Sequence, residues 1–277
     1  MGDCIFDFDE LGEASDCDEQ TPEIRRRVLV LRHGSRPNQG HDPPLDREGE
    51  EQVLRVAAYF RSHESTAPSG FAPITAVFSS PFTRALQTAG PVAKALGLPI
   101  QIEWGFCELL AHGWLQNSDP LPNLHARSRE QLDALVGGAT IDHDYESVVM
   151  PKYPDVVGRM LKGDSGKRQK VTRRHREALE TILGRPYGDG GTVLVVGHGS
   201  THDFAANALC ESSWKHVTSR HTPHCVSHCG ITQLVDTPSG WLVSSFGATP
   251  WRQDRLLATA DPEAAAQEQR FQEMMAG

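Results

Sequence analysis

The chain has 277 residues, 23% of them charged and 38% hydrophobic, with six cysteines and a net charge of −9. These proportions exclude collagen-like, low-complexity and disulfide-dense proteins, and the length suffices for one large core. No apolar run approaches the roughly 20 residues of a membrane-spanning helix, and the acidic start MGDCIFDFDE lacks the basic flank of a secretory signal. The expectation is a soluble, cytoplasmic protein, with the nucleus left open, whose cysteines stay reduced because they show no paired framework.

Residues 1 to 24 hold nine acids and no base, while the rest of the chain carries 27 charges of each sign. The leader is too polar to bury a core and is expected to be an acidic, disordered tail. A neutral body gives nucleic acid no electrostatic footprint, and the basic clusters Arg25 to Arg27 and Lys167 to Arg176 read as solvated charge beside a strand and along a helix. One domain over 25–252, followed by a helical or flexible tail over 253–277, is the expected organisation.

The first strong element is the β-branched and leucine run Arg27 to Leu31, of the kind buried on both faces of a sheet; it ends in Arg32-His33-Gly34. After a polar, Pro-rich loop, Leu45-Asp46-Arg47-Glu48-Gly49 leads into a helix whose apolar positions Val53, Ala57 and Phe60 follow the 3.6 period. Ile74 to Phe78 reads as a second strand. Ser80-Pro81 then reads as an N-cap with Pro at the first helical position, and the helix runs through Leu86 and Ala93 to a stop at Gly97. Leu98 to Glu103 returns as a strand. Residues 111 to 165 are the least periodic part and too long for an ordinary connection, so they read as an excursion covering the active face. Lys167 to Leu183 is helical, Thr192 to Val196 is a buried strand ending in Gly197-His198-Gly199, and a short helix follows around Phe204 to Leu209. Ile231 to Val235 and Trp241 to Phe246 form an antiparallel hairpin. The fold class is α/β: a three-layer α/β/α sandwich, its central sheet mostly parallel with an antiparallel edge.

Two buried strands thus each deliver a histidine beside glycine at their C-terminal ends, where open α/β sheets bind ligands. Arg32-His33-Gly34-Ser35-Arg36 groups a nucleophile with two guanidinium groups, whose forks match phosphate oxygens and stay charged. Arg84 lies in the first turn of a helix, where backbone donors and dipole also favour an anion. Three arginines and two histidines at strand and helix ends describe a phosphoryl pocket.

Four segments, Leu31-Arg32-His33-Gly34, Leu45 to Gly49 with Gln52, Ser79 to Ala89, and Val195-Val196-Gly197-His198-Gly199, resemble in order those of the histidine phosphatase superfamily, the phosphoglycerate mutase-like fold, over about residues 27 to 247. The resemblance implies that His33 accepts the phosphoryl group as a phosphohistidine and that Arg32, Arg84 and His198 bind it. Glu108 falls where a family acid protonates the leaving oxygen; Asp203, five residues after His198, is its rival. Partial burial is expected to raise the pKa of Glu108, and a bound phosphate dianion to favour the cation of His198. A neutral imidazole nucleophile with an arginine cage requires neither metal nor cofactor. Ser35 and Glu108-Leu109 depart from the mutase pattern, whereas Ile102 to Glu108, Ile141 to Tyr145, Tyr153-Pro154-Asp155 and Cys225 to Trp241 resemble the phosphatase domains of Sts-type proteins. That branch includes protein-tyrosine and steroid-phosphate phosphatases, and it implies that Arg36 is a further phosphate-binding arginine.

The functional expectation is a metal-independent phosphomonoesterase acting on a phosphorylated small molecule or phosphoprotein, with a mutase and a weakly active phospho-ligand scaffold as the other readings. A homodimer is left open. His216, His221, His224, Cys225, His228 and Cys229 form a second cluster of metal-ligating residue types, but their spacing matches no common structural zinc pattern, so a structural or substrate-rim role is expected before a zinc site.

Overall fold

The computed structural model describes residues 24–65, 73–110, 115, 118–155, 165–185, 191–210 and 226–252. The acidic leader up to residue 23, the C-terminal tail, and His216, His221, His224 and Cys225 lie outside these residues. Six strands form one sheet: β1 (Arg26–Arg32), β2 (Ile74–Ser79), β3 (Ile100–Ile102), β4 (Thr192–Gly197), β5 (Ile231–Thr237) and β6 (Gly240–Ala248), in the order β3-β2-β4-β1-β5-β6. The first four in that order run parallel, and β5 and β6 complete the sheet as an antiparallel hairpin. The third strand is shorter than the expected Leu98 to Glu103.

Alternation along the central strands builds two cores. Leu31, Val77, Leu194 and Val196 face α1 (Arg47–Ser65) and α2 (Thr83–Leu96), packing on Val53, Phe60, Leu86 and Ala89. Val28, Val30, Val193 and Val195 point the other way, toward Leu179 and Ile182 of α5 (Ser165–Leu183) and Ala205 of α6 (Gly199–Leu209). Sheets covered on both faces require such continuous apolar strands, so the three layers follow from the β1 and β4 sequences. Helix α2 ends where Gly97 adopts φ +67° and donates to the carbonyls of Ala93 and Lys94, a left-handed cap that glycine takes without steric cost.

The start of α2 differs from the expectation. Ser80 does not cap it; the helix begins at Thr83, whose backbone N–H donates instead to Asp42 Oδ1 at 2.8 Å. A residue from the preceding polar loop has taken the capping position, which leaves Ser80 for the site described below. Helix α6 also starts earlier than expected, directly after His198. Within the excursion lie α3 (Leu121–His125) and α4 (Arg129–Leu135), the latter opened by a reciprocal capping box between Ser128 and Gln131.

Glu103 ties this excursion to the end of β3. Its buried carboxylate accepts from the N–H of Gly105 and Val148, the hydroxyl of Tyr145 and that of Ser147, all between 2.7 and 2.9 Å. Ile141 adds a parallel bridge to Ile100.

Two buried histidines make stability depend on pH. His175 and His202 each use Nδ1 in one hydrogen bond, to Val171 O and Thr232 Oγ1, while Nε2 has no partner among the described residues. Burial lowers both from 6.5 to about 3, helped by Arg174 for His175 and by Arg32 for His202. A lowered folded-state value means that the unfolded chain binds more protons below pH 6.5, so stability present above that pH is lost as the pH falls. The pair together is expected to remove about 2.5 kcal/mol between pH 7 and 5.5. Denaturant titrations at the two pH values check this, and His175→Gln should reduce the loss by about 1.3 kcal/mol; an unchanged slope in that variant would contradict the assignment.

Candidate active site

The parallel pairing of β1 with β4 puts Arg32 opposite Gly197, and the His33 N–H donates to Gly197 O at 3.0 Å. The connections leaving these adjacent strands run to opposite sides of the sheet, α1 toward β2 and α6 toward β5. Such a switch point opens a crevice at the carboxyl ends of the strands, and His33 and His198 occupy it with ring centroids 5.3 Å apart. On the other side, Ser79 pairs with Val196, and Ser80 N–H donates to Val196 O, so the start of α2 with Arg84 joins the same crevice.

The loop carrying His33 is fixed by the second motif. Gly34 N–H donates to Thr88 Oγ1, Ser35 N–H to Gln52 Oε1, and Ser35 Oγ to Asp46 Oδ2, while Asp46 Oδ1 accepts from Gly49 N–H. Gly49 lies so close that a Cβ there would be 2.1 Å from Ser35 O, which accounts for glycine in Leu45 to Gly49. On the far side, Arg32 N–H donates to Gly230 O, Cys229 N–H to His33 O, and Arg32 Nη1 to Val226 O.

His33 is buried, and its Nδ1 lies 2.7 Å from Gly34 O. A carbonyl only accepts, so Nδ1 carries the proton and Nε2 keeps its lone pair. Burial, then the charges of Arg84 and His198, hold this imidazole well below its ordinary pKa, neutral at neutral pH. His198 faces Ser80 Oγ through Nε2 at 2.9 Å and Arg84 Nη2 through Nδ1 at 3.2 Å. Because the guanidinium can only donate, Nδ1 accepts and Nε2–H donates to Ser80. Burial, Arg84 and Arg32 lower His198 strongly as well. His198 is therefore neutral here; the cation expected from the sequence is tied to a bound phosphate dianion.

Glu108 stands in the same cluster. One ligand atom from each of His33, Glu108 and His198 lies within 4.8 Å of the others. Glu108 Oε2 is 3.3 Å from both Arg84 Nη2 and His198 Nδ1, and Oε1 accepts from Leu109 N–H and Ser200 Oγ at 3.0 Å each. Burial pushes this carboxyl up, but Arg84, Leu109 N–H, His33 and Ser200 oppose it, and the net direction is down. The expected rise is thus corrected; without ligand Glu108 is a carboxylate. Its rival Asp203 is fully buried on α6, and the carboxylate that meets Arg84 and His198 is that of Glu108.

Arg84 is 2% exposed, and its Nε and Nη1 have no hydrogen-bond partner among the described residues. Burial lowers its pKa against the pull of Glu108 and Asp42, yet a guanidinium remains cationic. A buried cation with two unused donors beside two neutral imidazoles is the chemistry of an anion site. The trio could also ligate a metal by geometry alone, but Arg84, bonded to two of its members, places a positive charge where a cation would sit. Arg36 lies at the rim, half-buried, its Nη1 donating to Pro37 O and Asn38 Oδ1 of its own loop.

Sequence reading missed three contributors: Ser80, Ser200 and Asp42. His228 was grouped with the other His and Cys residues of its segment, and its ring sits 5.6 Å from that of His33. Burial, Arg32 and Arg36 lower it to about 4. Cys229 beside it is buried, and burial pushes its thiol up to about 12.

Comparison with known proteins agrees with this architecture. The model of the histidine phosphatase superfamily (branch 1) matches residues 28–249, and the chain belongs to that superfamily. It is similar in fold to ecdysone phosphate phosphatase from Bombix mori in complex with tungstate, at 20% identity and a TM-score of 0.58, covering 82% of this chain and 94% of that one. Mycobacterial glucosyl-3-phosphoglycerate phosphatase is 20% identical with a TM-score of 0.50, covering 81% and 99%. Phosphoglycerate mutase from Bacillus anthracis is 18% identical with a TM-score of 0.50, covering 84% and 97%. No curated protein matches the chain. Among the described residues, no helix is long and apolar enough to cross a membrane.

The tautomer of His33 is open to measurement. Nitrogen-15 spectra of the unliganded protein, with His33→Gln as the assignment control, should show His33 protonated on Nδ1 and neutral from pH 6 to 8. A midpoint near 6.5 would contradict the geometry.

Proposed function

We propose that this protein is a metal-independent phosphomonoesterase in which His33 carries the phosphoryl group. The observation that carries the reading is the unprotonated Nε2 of a buried histidine, held by Gly34 O at Nδ1 and clustered with His198, Glu108 and the free donors of Arg84. In the first step, Nε2 attacks phosphorus, the bond to the ester oxygen breaks, and Glu108 delivers its proton to that leaving oxygen. Arg32, Arg84 and His198 take the charge on the equatorial oxygens, with Arg36 closing the rim. In the second step, water attacks phosphorus and passes a proton to the Glu108 carboxylate. The N–P bond breaks, and inorganic phosphate leaves.

The low ground-state pKa of Glu108 fits both halves. A bound phosphate dianion competes for Arg84 and sets a like charge beside the carboxyl, and each effect raises its proton affinity for the first step. Once the leaving alcohol departs, the carboxylate form is the one that water needs. His198 changes in the same direction, because the dianion favours its cation.

The substrate proposed is a phosphate monoester of a small alcohol or phenol, or a phosphotyrosine side chain, in keeping with the resemblance of the Arg36 motif and of residues 102–108 to Sts-type phosphatase domains. The mutase neighbour keeps a second outcome in view, since a mutase would hand the phosphoryl group to an added acceptor alcohol instead of water. Incubating the protein with a panel of monoesters, with and without excess acceptor, and measuring free phosphate separates the two.

Acid-labile phosphate should be trapped on the wild-type protein during turnover. His33→Ala should trap none and lose at least about a thousandfold in kcat/KM, as expected when a covalent nucleophile is removed. Substantial turnover by the variant would reject the covalent route.

Glu108→Gln should separate acid catalysis from binding. General acids contribute roughly 100-fold to 10,000-fold where the leaving group needs a proton, so the loss in kcat/KM should be far larger for an alkyl phosphate than for an aryl phosphate with an acidic phenol. Equal losses on both esters, with unchanged thermal melts, would remove Glu108 from this role.

A further inference from the structure

We propose that Asp42 is a positioning residue that holds Arg84 in place and ties it, through Arg127, to the excursion between β3 and α5. The inference rests on the reading of Arg84 as part of the phosphate clamp. Nothing in the family motifs around His33, Arg84 or His198 includes either residue.

Asp42 sits in the polar loop after Arg36, with its side chain 16% exposed. Its Oδ1 accepts from Thr83 N–H at 2.8 Å and stands 3.7 Å from Arg84 Nη1. Its Oδ2 accepts from Thr83 Oγ1 at 2.6 Å and from Arg127 Nη2. Arg127, between α3 and α4, also donates to Thr83 Oγ1 at 2.7 Å and to Pro81 O at 2.8 Å. One carboxylate therefore caps α2, faces the clamp arginine and receives the cation of the excursion.

The charges run Arg127, Asp42, Arg84, Glu108, alternating in sign along a chain of ion pairs. The two anions flanking Arg84 differ in kind. Glu108 touches His198 and the cluster around His33, and in the proposed cycle it gains and loses a proton. Asp42 has both oxygens committed to Thr83 and Arg127, with Oδ1 also facing Arg84 Nη1. When a phosphate draws Arg84 away from Glu108, Asp42 is the anchor that remains. An arginine facing a carboxylate that is itself fixed by Thr83 and Arg127 is pre-organised for the equatorial oxygens, and a small displacement of such a group costs rate steeply.

Arg127 completes the anchor. Without its cation, Asp42 would keep only Thr83 and the longer contact to Arg84, and the loop of residues 37–44 would be joined to the excursion by one ion pair fewer. The residues next to Arg127 pack along the same rim: His125 stacks on Trp104 with centroids 3.8 Å apart, and Leu124 and Phe82 share one apolar cluster. The position of the excursion is thereby transmitted to the clamp through a pair of charges.

The test is a double-mutant cycle read in two ways, by kcat/KM for an aryl phosphate and by the dissociation constant of vanadate. Asp42→Asn and Arg127→Met should each lower kcat/KM by about 10-fold to 100-fold and weaken vanadate by a similar factor. In an Arg84→Met background, neither change should cost more than about twofold further, because the group being positioned is gone. Thermal melts accompany each variant; should Asp42→Asn fail to fold, Arg127→Met, which leaves Asp42 in place, carries the cycle. Equal losses with and without Arg84 would overturn the proposal while leaving the phosphatase reading standing. A protein that binds vanadate with the predicted coupling but releases no phosphate from any ester would leave Asp42 as positioned here and remove the phosphatase reading. Binding of vanadate indifferent to Asp42 and Arg127 would overturn the proposal whatever the turnover.

Discussion

The parallel pairing of β1 with β4 is the constraint on which the site depends. With Arg32 opposite Gly197, two residues far apart in the chain, His33 and His198, leave the sheet side by side, and the His33 N–H is anchored on the strand that presents its partner. A shift of one residue would turn the alternate side chains of β1 to the opposite layers, exchanging Val28 and Val30 with Leu29 and Leu31. The apolar packing on both faces therefore protects the register, and the register sets the distance between the imidazoles. Core and catalytic geometry are in this sense one feature.

Buried cations and unprotonated imidazoles are set side by side in this crevice. Arg32 and Arg84 lie beside histidines from which they expel protons, and Glu108 is held ionised to balance one of them. In a buried environment such charges interact strongly with whatever anion enters. A phosphate supplies the negative charge that both arginines face and favours protonation of His198 and Glu108. In the proposed reaction the substrate itself assembles the proton inventory for ester cleavage, so that one carboxyl serves as acid in one step and base in the next.

The residues around this centre work mainly by immobilising it. Gly34 and Gly49 approach within backbone contact, Gln52 and Asp46 occupy the polar groups of the Ser35 loop, and Thr88 secures Gly34. Glu103 does the same for the excursion, with its carboxylate surrounded by donors from residues 105 and 145–148. Low identity to proteins of the same fold is compatible with such a design, since these contacts depend on a few short segments and not on the surface between them.

The sequence by itself determined the layers and the main chemical groups. Val-Leu-Val-Leu in β1 and Val-Leu-Val-Val in β4 read as strands covered on both faces, and the motifs ending them name Arg32, His33 and His198, as the segment after β2 names Arg84, because those residue types are adjacent along the chain to strong local signals. What it could not determine depended on partners distant in sequence. Ser80 was read as a helix cap, although Asp42, brought in by a loop 41 residues earlier, caps α2 and releases Ser80 to His198. His228 was grouped with the cysteines and histidines nearest to it in the chain, although the antiparallel return of β5 beside β1 sets it against His33. The protonation of Glu108 likewise followed from tertiary contacts: burial alone predicts a raised pKa, and the donors of Arg84, Leu109 and Ser200 reverse it. Local pattern reveals which elements form and what chemistry they carry, but the charge state of a group is set by neighbours that only the folded chain supplies.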